Sequence, residues 1–115
     1  MISDWVRVAG VSDVKPGAVI QVQVDEEPVA LANVDGELLA VGDICSHEYF
    51  LLSDGWVEED QIECSKHGSL FSLRTGEAIN LPAIHPVPVY EVKVEGDDVL
   101  LKGPFLKSEI QGESS

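Results

Sequence analysis

The chain has 115 residues, enough to bury the core of one domain and too few for two. Its 21 acidic side chains against seven basic ones give a formal charge of -14, which opposes contact with nucleic-acid phosphates or anionic membrane surfaces and argues against both as partners. No run of about eighteen apolar residues occurs, and Met1-Ile2-Ser3-Asp4 lacks the basic start and apolar stretch of a secretory signal, so a cytoplasmic protein with reduced thiols is expected.

Taken in chain order, Val19 to Val24 alternates, with Ile20, Val22 and Val24 on one face and Gln21 and Gln23 on the other, as a half-buried strand requires. Pro28 to Val34 and Glu37 to Val41 flank Asp35-Gly36, a two-residue hairpin signal. Leu38 to Ile44 then leads into Cys45-Ser46-His47, and Gln61 to Glu63 leads into Cys64-Ser65-Lys66-His67, so each Cys/His pair is expected at a loop tip. Leu81-Pro82 and Pro86-Val87-Pro88 predict a rigid return loop, because proline fixes its own φ and pushes its predecessor toward extended geometry. Tyr90, Val92 and Val94 alternate with Glu91, Lys93 and Glu95 before Gly96-Asp97-Asp98 turns the chain into Val99-Leu100-Leu101.

The expected fold is all-β, an antiparallel sandwich or barrel with few or no helices, into which residues 42–86 are inserted as a subdomain. Residues 1–103 form the domain, and 104–115 form a polar tail that docks partly and then frays. Trp5, Trp56, Phe71 and Tyr90 are read as core or seam residues. His85, with no cysteine nearby, is read as structural or exposed.

The two arms contain both cysteines and two of the three histidines, in the order C-x-H, sixteen intervening residues, C-x2-H. Two thiolates and two imidazoles make a complete ligand set for one metal centre. Three readings use these residues: a tetrahedral zinc site, a Cys45–Cys64 disulfide with incidental histidines, and a dinuclear iron centre with both sulfurs on one iron. Zinc fingers usually keep the cysteine pair and the histidine pair together, which this spacing does not.

The pattern resembles the Rieske [2Fe–2S] family, in which two histidines replace two cysteines on one iron. Leu52-Ser53-Asp54-Gly55, Arg74-Thr75-Gly76, and Leu81-Pro82-Ala83 leading to Pro86-Val87 fall where Rieske ferredoxins have similar segments, and the likeness runs over about residues 2–103. It implies a Rieske-type β base with an inserted cluster-binding subdomain, and one [2Fe–2S] cluster on Cys45, His47, Cys64 and His67. It also implies a loop containing Pro82 over the cluster. Where respiratory and photosynthetic members carry an extra pair of cysteines, this sequence has Phe50 and Lys66. Where they place potential-raising Ser and Tyr hydroxyls, it has Ser69 and Phe71.

Among Rieske proteins the chain is similar to the ferredoxins of multicomponent aromatic-ring-hydroxylating dioxygenases, such as the carbazole and biphenyl systems. The resemblance implies an electron carrier between a flavin-containing NAD(P)H-dependent reductase and a terminal oxygenase, with no catalysis of its own. The small subunit of an assimilatory nitrite reductase and a zinc-stabilised interaction module are the alternatives. Docking is expected at the tip carrying His47 and His67, with Glu48, Phe50 and Lys66 around it. Glu48 and the Glu58-Glu59-Asp60 run would steer approach in a salt-dependent way.

Overall fold

The chain follows its alternating pattern into nine strands in the computed structural model, which describes residues 5–44, 51–64, 69–79 and 86–105. These are β1 (Val6–Gly10), β2 (Val19–Val24), β3 (Glu27–Val34), β4 (Glu37–Gly42), β5 (Trp56–Glu58), β6 (Gln61–Glu63), β7 (Leu70–Ser72), β8 (Val89–Glu95) and β9 (Asp98–Phe105). The only helical pieces among the described residues are two single 3₁₀ turns, at Val11–Asp13 and Leu52–Asp54. No described helix is long and apolar enough to cross a membrane.

Six strands form one antiparallel sheet in the order β1-β9-β8-β4-β3-β2, and it curls until its edges β1 and β2 approach each other as a nearly closed barrel. The β3–β4 hairpin turns at Asp35-Gly36, both at positive φ (53° and 97°), as a primed turn demands. The β2–β3 turn has the same character without glycine: Asp25 and Glu26 have φ of 51° and 73°. Strands β5, β6 and β7 form a separate three-stranded sheet inside the 42–86 insertion.

Two cores result. Val22, Val24, Val29, Leu31, Ala40, Tyr90, Val99 and Leu101 fill the barrel interior. The other face of β3 and β4 supplies Ala30, Ala32 and Val41 to a second core, where Leu52, Ile62, Phe71 and Leu73 come from the insertion and Val87 from the return loop that follows it. That is why β3 buries five consecutive residues, Val29 to Asn33, although it belongs to an antiparallel sheet.

The aromatic expectations divide. Phe71 and Tyr90 are core residues, Trp5 is half-buried with the Lys93 and Lys102 ammonium groups 4.7 and 5.6 Å from its ring centroid, and Trp56 is 50% exposed. Trp56 therefore corrects the core reading: it lies on the face of the small sheet that points away from the second core. Val94 is 48% exposed because it sits near the tip of the β8–β9 hairpin, beyond the barrel's apolar contents. β9 runs on through Pro104 to Phe105. His85 and residues 106–115 lie outside the described residues.

On the surface, Arg74 joins the barrel to the insertion. Its guanidinium donates to both carboxylate oxygens of Glu37 at 2.9 and 2.8 Å and to Asp60 at 3.1 Å. The paired guanidinium holds the Glu37 carboxyl below its ordinary range. This contribution is present at neutral pH and is lost as pH falls through the folded-state pKa. All three groups are exposed, so Arg74→Gln is expected to lower the melting temperature only slightly at low ionic strength. The difference should vanish near 1 M salt, where screening acts over about 3 Å, and a loss that persists there would point to packing instead.

Candidate metal centre

Strands β6 and β7 deliver the one expected ligand that the described residues contain. Their register pairs Ile62 with Phe71 and Glu63 with Leu70. The ladder continues one step further, the Cys64 N–H donating to the Ser69 carbonyl at 2.8 Å. Cys64 and Ser69 thus sit opposite each other and share the face that Ile62 and Phe71 turn toward the second core.

Cys64 is a free thiol, 1% exposed. Ser69 is fully buried, and its Oγ has no hydrogen-bond partner among the described residues. A buried hydroxyl left without a partner costs about 1–3 kcal/mol. Its place opposite a buried thiol is what a sulfur-bearing metal group would relieve, since the hydroxyl could donate to that group while Cys64 ligates it. The residues present therefore fit an iron–sulfur cluster.

Phe71 is wholly buried and has no hydroxyl, so of the two positions expected to matter for the potential only Ser69 carries one. Cys45, His47, Glu48, Phe50, Lys66, His67 and Pro82 lie outside the described residues. Pro86 to Pro88 of the return loop are described: Val87 is buried, and its N–H donates to the Gly76 carbonyl at 2.8 Å.

Sequence reasoning missed Asp43, two residues before Cys45 and wholly buried. Its Oδ1 accepts from the Ser53 N–H at 2.6 Å, and its Oδ2 from the Ser53 hydroxyl at 2.7 Å and the Gln21 side-chain amide at 2.8 Å. Its backbone carbonyl also accepts from Leu52 N–H at 2.6 Å. One carboxylate thus ties β2 of the barrel to the 3₁₀ turn of the insertion at the base of the first arm. An acid immediately after a buried strand, followed ten positions later by Ser53, was the available signal; at an ordinary strand end the same acid would be solvated.

Residues 4–91 match the Rieske [2Fe-2S] domain. The biphenyl 2,3-dioxygenase ferredoxin component of Rhodococcus jostii (strain RHA1) is 41% identical over 95 residues, covering 83% of this chain and 89% of that protein. The ferredoxin of carbazole 1,9a-dioxygenase from Nocardioides aromaticivorans IC177 superposes with a TM-score of 0.82 at 33% identity, over 87% of this chain and 98% of that one. A ferredoxin solved in complex with the oxygenase of carbazole 1,9a-dioxygenase gives a TM-score of 0.82 at 34% identity, over 90% and 96% of the two chains. A putative NADH-dependent nitrite reductase small subunit from Mycobacterium tuberculosis, at 24% identity and a TM-score of 0.78, shares the fold alone. The buried thiol facing an unpartnered hydroxyl thus has its explanation in ancestry: this chain belongs to the Rieske [2Fe-2S] family, whose members carry a Rieske-type [2Fe–2S] cluster.

Proposed function

We propose that the chain is a one-electron carrier that takes electrons from a flavin-containing, NAD(P)H-dependent ferredoxin reductase and passes them to the terminal oxygenase of an aromatic-ring-hydroxylating dioxygenase system. The Cys64–Ser69 pair carries the reading, because it sets a buried thiol that can ligate iron opposite a buried hydroxyl without a hydrogen-bond partner among the described residues. Relatives named as ferredoxin components of biphenyl and carbazole dioxygenases support the system to which it belongs. Cys45 and Cys64 would hold one iron, and His47 and His67 the other. Bound there, a cluster with two thiolates and two neutral imidazoles supplies a one-electron couple above the roughly −400 mV of plant-type ferredoxins.

The protein's own residues set the conditions. Cys64 is kept from solvent by the second core, and Ser69, opposite it, would donate its buried hydroxyl to a bound cluster. Phe71 packs beneath without adding a second donor. Docking of the partners at His47 and His67, with Glu48, Phe50 and Lys66, is part of the same proposal.

Purified protein should contain about two irons and two sulfides per chain and become EPR-active on reduction. A colourless protein with a single zinc would end this reading. If the Ser69 hydroxyl favours the reduced state by ~1 kcal/mol, Ser69→Ala should lower the potential by roughly 40 mV for a one-electron couple. An unchanged potential would show that the hydroxyl is directed elsewhere.

A further inference from the structure

Of the described residues, Trp56, Ile79 and Val94 are the large apolar side chains left exposed, at 50%, 45% and 48%. Two of these three stand in one row. Trp56 pairs with Glu63 across β5 and β6, and Glu63 pairs with Leu70 across β6 and β7. The bridge between Phe71 and Ala78 continues the ladder, with the Ile79 N–H donating to the Leu70 carbonyl at 2.7 Å. Directly opposed residues share a face. Trp56, Glu63, Leu70 and Ile79 therefore form a continuous stripe on the outer face of the small sheet, while Val57, Ile62, Phe71 and Ala78 form the inner row against the core.

The stripe lies one rung from the Cys64–Ser69 pair, about 3.4 Å along the strand. A protein packed on it is one peptide unit from the buried cysteine. The Trp56 indole N–H donates to Glu63 at 3.1 Å, which holds the ring against the sheet instead of leaving it free. The next outer row is polar and acidic, with Glu58, Gln61, Ser72 and Glu77, and among the described residues the cation Arg74 beside it is committed to Glu37 and Asp60. A mainly apolar row with an aromatic anchor, its one carboxylate Glu63 paired to the Trp56 indole and further carboxylates along its rim, is the anatomy of a protein contact.

We infer that the Trp56–Leu70–Ile79 stripe is a docking surface for the electron-accepting oxygenase, whose complementary face is apolar and rimmed by lysine or arginine. This rests on the function proposed above and adds a surface to the histidine tip. The oxygenase is the class of partner with which a relative of this chain has been solved in complex. The acidic rim calls for the basic complement.

The test measures reduction of oxygenase by the pre-reduced, cluster-loaded chain in stopped flow, with the purified oxygenases of the biphenyl, naphthalene and carbazole systems as probes. Trp56→Ala and Ile79→Ser are each expected to slow the second-order rate about tenfold, with visible spectrum, reduction potential and saturating first-order rate unchanged. Trp56→Phe should recover most of the loss, and Val94→Ser, an exposed apolar residue elsewhere, should change nothing. If wild type reduces an oxygenase and the stripe variants match it, the surface is refuted and the proposed function stands. If wild type reduces none of the three, the proposed function itself fails. Slowing confined to uptake from the reductase, or a concentration-dependent dimer that Trp56→Ala abolishes, would assign the stripe to another occupant and overturn the inference.

Discussion

Replacing Asp43 with alanine is expected to cost the protein about 3 kcal/mol and to accelerate loss of the cluster. The estimate follows from the donors left behind: Ser53 N–H and the Gln21 amide lose their acceptor, and the Ser53 hydroxyl must find another. Each unsatisfied buried donor costs about 1–3 kcal/mol, reduced where water or rotation supplies a replacement. Against a total stability of about 5–15 kcal/mol for a domain, such a loss is large. Because the network joins β2 to the Leu52–Asp54 turn, its removal should loosen the base of the Cys45 arm while leaving the barrel core intact. Urea denaturation and the decay rate of visible absorbance measure the two effects. Asp43→Asn, which keeps one acceptor oxygen, should fall between wild type and alanine. An alanine variant with an unchanged midpoint and decay rate would show that the network is dispensable.

The second large effect is expected at Gly76. Its φ is +79°, where side chains are strained, and an added Cβ would fall far inside contact distance of the Val87 carbonyl oxygen and at 3.1 Å from Val89 Cγ1. The Val87 N–H bonds to the Gly76 carbonyl at 2.8 Å, so the two backbones are locked together at this approach. Gly76→Ala therefore combines a conformational cost with backbone overlap, and a loss of roughly 3 kcal/mol or more is expected. Gly36→Ala is the comparison that separates the two causes. It shares positive φ, at +97°, but nothing lies within 4 Å of its added Cβ, so it should cost only about 1 kcal/mol. Equal effects from the two substitutions would refute the close approach as the cause.

Much of the architecture was legible because it rests on local chemistry. The alternation in Val19–Val24 became β2 with those limits, Asp35-Gly36 became the β3–β4 turn, and Gln61–Glu63 became the strand leading to Cys64. The β2–β3 turn was harder to see, since Asp25-Glu26 adopts the glycine-favoured region without a glycine. Strands β5 and β7 have three residues each, too few to display a period, and they exist because they pair with β6. Of the expected centre, the paired Cys/His spacing announced the ligand chemistry, and the structure describes one arm's cysteine at the end of its strand.

By itself, then, the sequence determined the all-β class, the ligand residues on offer, the acidic surface and the contrast between Ser69 and Phe71, because residue identity and short-range periodicity suffice for each. Only the tertiary structure decided which polar groups lose water. Ser69 is an orphaned hydroxyl and Asp43 a buried three-donor acceptor because the small sheet closes over the outer face of β3 and β4. The same packing sends Phe71 inward and leaves Trp56 and Ile79 on the outside. A strand's pattern says that its two faces differ, but which face meets a second layer depends on where distant segments pack, and burial is settled there.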